Sequence, residues 1–395
     1  MRKWLSILTL LCALPAYATN YYVSTAGSDS NPGTQAQPWL TIQHAANTVV
    51  AGDTVHIAPG TYPISSGIVT KTSGTASAPI TFISDVKWGA KIGPPTTASF
   101  NDIWTQSGNY VTIEGFEIQG CTTPPCSDTT NQTTYGIRNL ASYDKILANH
   151  VHDIPGYGCP SRGGAGIYIG NYTATGNVDT IGNVTHDIGD PNAGCDKTHG
   201  IYQANKGGNV LNNISYRNAA WGIHLNHNPG NGVVANNLVY QNGRGGITLS
   251  GDSTAGYICD NETVANNLVI SNGGFAGRGF SQAIREYSAT GPNNKFLNNL
   301  IYGNADNSIS LLTGTQSGTL TSNPQLVNYQ ADGKGDYHLQ SGSPAIDAGT
   351  STGAPATDFD GVARPQGAGY DIGAYEFVAT GTAPNPPTGL SATVH

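Results

Sequence analysis

The sequence has little charge, one methionine and, after its first 18 residues, no long apolar run. Charged residues make up 11% of the 395 positions, and the net charge is -8. No basic stripe is present, which argues against a nucleic-acid partner, and no later segment is apolar enough over a sufficient length to span a membrane. Zinc-binding and phosphate-binding motifs are also missing. Glycine, with 52 residues, and asparagine are abundant instead, and both favour turns over helices.

Residues 1–18 predict a secretory signal. Arg2 and Lys3 form a basic start, an apolar run follows, and Ala16-Tyr17-Ala18 is a small-residue cleavage site. We therefore expect an exported monomer that is found outside the cell or at its surface.

Five cysteines follow the predicted signal, and export would permit disulfides between them. Cys121 and Cys126 are close enough to close a small loop, whereas Cys159 and Cys195 each precede a repeat motif and could join successive loops. Cys259 would then be left over as a small buried apolar residue. Spacing alone does not determine the connectivity, so these pairings are expectations.

Two short motifs recur through the middle of the chain. The first is Gly-Ile-x, in strict or weaker form: Gly136-Ile137-Arg138, Gly166-Ile167-Tyr168, Gly200-Ile201-Tyr202, Gly222-Ile223-His224, Gly246-Ile247-Thr248, Ala283-Ile284-Arg285 and Ser308-Ile309-Ser310. The second is a column of asparagines, which we expect to stack at a bend: Asn183, Asn213, Asn237, Asn267 and Asn299, with His150 in the equivalent place on the first turn. Such intervals, with turns and no helical pattern between them, predict a parallel β-helix.

The repeats define the expected domain organisation of an all-β chain. Residues 63–322 would form the parallel β-helix. Residues 19–62 would form an N-terminal cap with a short helix within Trp39–Val50, and residues 323–378 a C-terminal cap, because the end strands of a solenoid are otherwise unpaired. Residues 379–395 read as a linker and the start of a fibronectin type III-like module.

Three parts of the chain carry a family resemblance: the opening Tyr21–Tyr62, the two repeat columns and the closing Asp358–Phe377. Together they resemble secreted bacterial right-handed parallel β-helix proteins of the polysaccharide-lyase-like (pectate-lyase-like) superfamily. The resemblance implies a right-handed coil and is weak for function, since fold does not determine activity. The chain has neither the Asp-Pro-His of alginate epimerases nor the paired aspartates of polygalacturonases.

Strand alternation predicts where chemistry could occur. If each Ile of the Gly-Ile-x column points into the coil, the next side chain points out, and neighbours in that outward column lie about 5 Å apart. A row of Tyr, His and Arg suits β-elimination on a uronic-acid polysaccharide, which needs a base, an acid and a group that stabilises the sugar carboxylate. We assign these roles to His224, Tyr202 and Arg285, with His199 or Lys197 as alternates.

The predicted catalytic residues have alternative roles. His224 could pack against Trp221 or bond to Asn226, and the tyrosines could form a structural or sugar-stacking ladder.

A second set of residues is expected to bind the substrate. The expected binding residues are Tyr168, Asn226, Arg138, Arg162, His227, Arg244 and Tyr287.

Calcium is a second way to neutralise a carboxylate. Asp187, Asp190 and Asp196 fall in one loop and offer hard oxygen ligands, although their spacing matches no EF-hand. A solvated acidic loop is the alternative.

The leading functional prediction is a lyase acting on an acidic polysaccharide. The alternatives are a non-catalytic carbohydrate-binding or adhesive protein, or a glycoside hydrolase, which would need two carboxylates beside the bond.

Overall fold

The computed structural model describes residues 18–95, 102–120, 134–155, 163–172, 176–190, 197–274 and 281–379. Its described strands form three long sheets that are parallel throughout, and one short helix accompanies them. The prediction of an all-β parallel β-helix is confirmed. In the described part of the chain, no helix has the length and apolarity needed to cross a membrane.

Strands are numbered β1–β31 in chain order, and most coils of the solenoid contribute one strand to each long sheet. Sheet 1 has eleven strands: β1 (Asn20–Val23), β2 (Thr54–Ile57), β5 (Ile80–Ser84), β8 (Val111–Glu114), β11 (Lys145–Leu147), β14 (Asp179–Ile181), β17 (Asn209–Leu211), β20 (Val233–Ala235), β23 (Thr263–Ala265), β26 (Lys295–Leu297) and β29 (Thr315–Ser317). Sheet 2 has nine: β3 (Gly60–Ile64), β6 (Ala90–Pro95), β9 (Glu117–Gln119), β12 (His150–Ile154), β15 (Val184–Ile188), β18 (Ile214–Tyr216), β21 (Leu238–Tyr240), β24 (Leu268–Ile270) and β27 (Leu300–Tyr302). Sheet 3 also has nine: β4 (Ile68–Thr70), β7 (Asp102–Gln106), β10 (Tyr135–Asn139), β13 (Gly164–Ile169), β16 (Thr198–Gln203), β19 (Trp221–Leu225), β22 (Gly245–Ser250), β25 (Gln282–Ser288) and β28 (Asp306–Ser310).

The Gly-Ile-x column forms part of the core of the coil. Its isoleucines are in register from strand to strand and fully buried from Ile137 to Ile284. The glycines leave room for the facing wall: a Cβ at Gly222 would lie 2.4 Å from a methyl carbon of Val239. Any larger side chain there would push the two sheets apart, because real Cβ contacts are not that short.

An asparagine ladder stabilises the bend between sheets 1 and 2. Side-chain amides bond from coil to coil through Asn149, Asn183, Asn213, Asn237, Asn267 and Asn299, with N–O distances of 2.8–3.1 Å. Asn149, and not His150 as predicted, holds the first position. The prediction was one residue out of register, and His150 points away from the core.

A second asparagine ladder, which we did not predict, lies at the bend between sheets 2 and 3. It consists of Asn218, Asn242, Asn272 and Asn304. Each of these buried amides also donates to a backbone carbonyl, so the turns leave few buried polar groups unsatisfied.

The helix α1 (Ile42–Thr48) is shorter than the Trp39–Val50 pattern suggested. Thr41 caps it by accepting a hydrogen bond from the backbone N–H of His44 at 3.1 Å. The helix buries Ile42, Ala45 and Ala46 in the core cluster of the first coils.

The segment predicted to cap the C-terminal end lies along the side of the coil. Leu326, Tyr337, Leu339 and Ile372 pack with the outward apolar side chains of sheet 2 in one buried cluster. The antiparallel pair β30 (Leu326–Asn328) and β31 (Asp336–Leu339) belongs to this segment. The expectation of an end cap misjudged its position, since an apolar outer face needs covering as much as an open end does.

Four asparagines, each directly before a member of the first asparagine ladder, hold this segment in place. These residues adopt a positive φ of 49–54°, a conformation that asparagine is one of the few side chains to tolerate. Asn212, Asn236, Asn266 and Asn298 donate to the carbonyls of Thr357, Asp371, Thr350 and Ala348 at 2.7–2.9 Å.

Several predictions fall outside the described residues. They concern most of the signal (1–17), the four cysteines expected to pair (Cys121, Cys126, Cys159 and Cys195), Arg162, Asp196 and the tail from residue 380. Cys259 is described: it is a free, fully buried thiol in the core, as predicted.

Candidate active site on sheet 3

Four neighbouring strands of sheet 3 position the candidate site. The outward column is in register as predicted, with Tyr202 beside His224, His224 beside Thr248 and Thr248 beside Arg285. Strand alternation therefore projects side chains from β16, β19, β22 and β25 on one outer wall.

A pocket of about 180 Å³ opens on this wall. Its lining residues are Lys197, His199, Trp221, His224, Asn226, Arg244, Thr248, Arg285 and Tyr287. Seven of these were predicted site residues. Trp221 and Thr248 were not, although Thr248 belongs to the outward column that the Gly-Ile-x motif defines.

His199 and His224 form a direct pair at the base of the pocket. His224 Nδ1 lies 2.9 Å from His199 Nε2, and the backbone N–H of Trp221 donates to His199 Nδ1 at 3.4 Å. Burial lowers the pKa of His199 well below its usual value. Burial, with the charges of His227 and Arg244 as lesser causes, lowers the pKa of His224 to about 3. Both rings are therefore neutral at pH 7.

The basic side chains of the pocket are Lys197, Arg244 and Arg285, and its described lining contains no carboxylate. Burial lowers the pKa of Arg285, and the nearby charge of Arg244 lowers it further. Two guanidinium groups held close together favour an anion between them, and a guanidinium matches the planar shape of a carboxylate. The Arg285 guanidinium also lies 4.7 Å from the ring centre of Tyr287.

Tyr168 and Tyr202, the tyrosines of the outward column, do not line the pocket. The ring of Tyr202 stacks on that of His224 at 4.8 Å, and the Tyr202 hydroxyl accepts a hydrogen bond from Asn226 Nδ2 at 3.1 Å. Burial raises the pKa of Tyr202, which weakens the case for it as an acid. Tyr168 is 4% exposed, so it has too little surface to stack on a sugar.

Two further predicted binding residues lie outside the pocket. Arg138 lies three coils before His224, about 14 Å away at the usual strand spacing, and pairs with Asp102 at 3.3 Å. His227 lies on the tyrosine side, where its Nδ1 is 3.3 Å from Asp252. Neither is placed to contact a sugar unit held in the pocket.

The calcium hypothesis finds little support in the described residues. Both carboxylate oxygens of Asp187 are engaged, one by His186 at 2.7 Å and one by Arg217 at 2.8 Å, and Asp187 belongs to sheet 2. Within the described ranges, no three His, Cys, Asp or Glu side chains are grouped to hold a metal ion. We therefore assign no step of the chemistry to a metal.

Residues 21–195 match a family described as the Pel9A-like, right-handed beta helix region. Short stretches also match two curated proteins. One is an uncharacterized protein, YwoF, of Bacillus subtilis (strain 168), with 48% identity over 61 residues. The other is the pectate lyase PEL9 of Emericella nidulans, with 45% identity over 62 residues. These matches span about 15% of this chain and only 13% and 15% of the two relatives.

Similarity to solved structures extends over most of the chain. The crystal structure of pectate lyase Pel9A superposes with a TM-score of 0.64 at 16% identity, covering 91% of this chain and 96% of that one. A rhamnogalacturonan lyase superposes with a TM-score of 0.55 at 16% identity, covering 80% and 92%. The fold and the matched region together define a right-handed parallel β-helix protein. This is the fold of both lyases, and the match to the Pel9A-like family covers residues 21–195.

Proposed function

We propose that this protein is a secreted polysaccharide lyase that cleaves a uronic-acid polysaccharide by β-elimination. The observation that carries the proposal is the pocket on sheet 3, with two arginines, a lysine, a neutral histidine pair and no carboxylate in its described lining. Such a pocket suits a sugar that carries a carboxylate. A glycoside hydrolase would instead need two carboxylates beside the bond it breaks.

In the proposed reaction, Arg244 and Arg285 bind the carboxylate of the sugar. Negative charge builds on that group when the neighbouring carbon loses its proton, so fixed cations there stabilise the transition state. The electron pair then forms a carbon–carbon double bond, and the bond to the 4-linked oxygen breaks.

We assign the proton transfer to Lys197. Both ring nitrogens of His199 are engaged, and with a pKa of about 3 His224 is a weak base at neutral pH, because an effective base has a pKa near the working pH. This reverses our preference for His224. Lys197 lines the same pocket; its amine nitrogen takes the proton from the sugar carbon and then returns it to the leaving oxygen.

The similar proteins suggest which substrates to test first. They include lyases of pectate and rhamnogalacturonan. We therefore expect activity on pectate or rhamnogalacturonan, with alginate, glucuronan and glycosaminoglycans completing the panel. Secretion, proposed from residues 1–18, would place the protein where such polymers occur.

The test is ultraviolet absorbance of the unsaturated ends that β-elimination creates. A lyase raises absorbance and reducing ends together. Reducing ends without absorbance would indicate a hydrolase, and binding without either would indicate a carbohydrate-binding or adhesive protein; each result would overturn the proposal.

A matched arginine pair tests the carboxylate-binding role. Arg285→Gln should lower kcat/KM about tenfold to hundredfold, because a hydrogen bond to a charged group contributes about 1.5–3 kcal/mol. The control is Arg217→Gln on sheet 2, where Arg217 pairs with Asp187 at a half-exposed position. Equal activity of the two variants would contradict the role of Arg285.

A further inference from the structure

The hydrogen bonds of His199 restrict where its proton can be. His199 is 4% exposed, and its Nδ1 faces the backbone N–H of Trp221 at 3.4 Å. A backbone N–H can only donate, so Nδ1 must supply the lone pair. The single proton of a neutral His199 is therefore on Nε2.

The proton position of His199 determines that of His224. His199 Nε2 faces His224 Nδ1 at 2.9 Å, so His199 donates and His224 Nδ1 accepts. A neutral His224 then carries its proton on Nε2. The reverse arrangement would set the N–H of His199 Nδ1 against that of Trp221, and a buried donor without an acceptor costs about 1–3 kcal/mol.

We propose that His199 is a positioning residue that holds His224 in the tautomer with its proton on Nε2, so that His224 presents a hydrogen-bond donor to the pocket. The proposal rests on the proposed lyase function for its catalytic meaning. The Nε2–H group would bond to the sugar carboxylate as charge builds there, next to the arginines. His224 is then neither base nor acid, and no proton leaves it during the reaction.

Two features of the site agree with this role. Burial keeps both rings neutral, so the arrangement persists through the neutral pH range. The Tyr202 ring stacks flat on His224 with an interplanar angle of 7°, which restricts rotation of the imidazole. A neutral imidazole that is oriented and protonated on a chosen nitrogen is a known way to stabilise developing negative charge.

The test reads the tautomer directly by NMR of the full chain labelled with ¹⁵N in histidine. Couplings from the ring nitrogens to the carbon-bound ring protons show which nitrogen carries hydrogen, and a His224→Gln variant assigns the signals. We expect the Nε2–H form for both rings. A proton on His224 Nδ1 in the unmodified protein would overturn the proposal without any variant.

Two substitutions of His199 then test the dependence. His199→Phe keeps the ring shape and removes both nitrogens, so His224 should populate the other tautomer and kcat should fall about tenfold or more, with a smaller change in KM. His199→Gln should restore the tautomer and much of kcat, because its carbonyl can accept from Trp221 and its amide can donate to His224. Circular dichroism checks that each variant folds.

The outcomes separate this proposal from the lyase function. An Nε2–H tautomer in a protein that forms no unsaturated ends would sink the lyase reading and leave the tautomer assignment intact. Lyase activity with an unchanged His224 tautomer and kcat in His199→Phe would sink the role of His199 and leave the function intact.

Discussion

Two outer walls of the same coil carry rows of neighbouring rings, yet they differ in what surrounds them. The row on sheet 2 comprises His152, His186, Tyr216 and Tyr240, and that on sheet 3 Tyr135, Tyr168, Tyr202 and His224. In both, ring centres are separated by 4.6–5.3 Å, the distance that the stacking of coils imposes. A row of rings by itself therefore does not mark a site.

The difference is what covers each wall. On sheet 2, leucines flank the ring row, and Tyr216 and Tyr240 are buried in one cluster with side chains of the segment 323–378. On sheet 3, a pocket opens at the ring row, and Lys197, Arg244 and Arg285 line it together with His224. One wall thus resembles a core and the other a binding surface, although both derive from the same alternation of strand residues.

Removal of residues 323–395 should give the largest effect. The outward Ile214, Leu238, Leu268 and Leu300 would lose their cover, and each large apolar side chain buried contributes about 1.5–3 kcal/mol. The summed loss is on the order of 10 kcal/mol, similar to the whole stability of a domain. We expect aggregation or a failure to fold, measured by size-exclusion chromatography. A chain ending at residue 379 is the control, and a soluble, cooperative truncated protein would contradict the view of this wall as a core.

Replacing a histidine by alanine should reduce activity on sheet 3 and only stability on sheet 2. His224→Ala should lower kcat/KM by about 10²–10³, as expected for loss of a transition-state donor. His186→Ala removes a ring that stacks on Tyr216 at 4.6 Å and should cost about 1 kcal/mol of stability without affecting activity. Steady-state kinetics and thermal unfolding of both variants check this, and an activity loss in His186→Ala matching that of His224→Ala would remove the distinction between the walls.

The sequence predicted the register of sheet 3 because each coil repeats the same inward position. One Ile per coil must be buried, and a slip of one residue would expose every one of them. The adjacent outward column then followed, including the neighbours Tyr202 and His224. Gln203 and Glu286, each two residues after an inward isoleucine, are buried as the same alternation requires.

Other features depend on contacts that no repeat encodes. A register shift after Leu249 places Ser250 opposite Ser288, so Tyr287 has no partner residue on β22 and is 52% exposed. The bond between His199 and His224 joins a strand entrance to an outward column, and strand alternation does not relate those two positions. Residues 323–378 pack against the apolar outer face of sheet 2. The sequence did not reveal this face, because its apolar residues could equally have belonged to the core of the coil.

Acid stability is a property in which the two walls should behave alike. Burial lowers the pKa of His150 on sheet 2 to about 3, with the charges of His152 and His186 as further causes, and that of His224 on sheet 3 is also about 3. The unfolded chain then binds protons that the folded chain does not, so stability is present above pH 6.5 and is lost as pH falls towards 3. His150→Gln and His224→Gln should each flatten this decline by at most about 1.4 kcal/mol per pH unit for one proton. Urea unfolding at several pH values measures the slopes.

A polyuronide ligand should make the pKa values of the two histidines differ. An anion in the sheet 3 pocket raises the pKa of His224 and leaves that of His150 unchanged. Equal shifts in an NMR titration would show that the ligand does not bind beside His224.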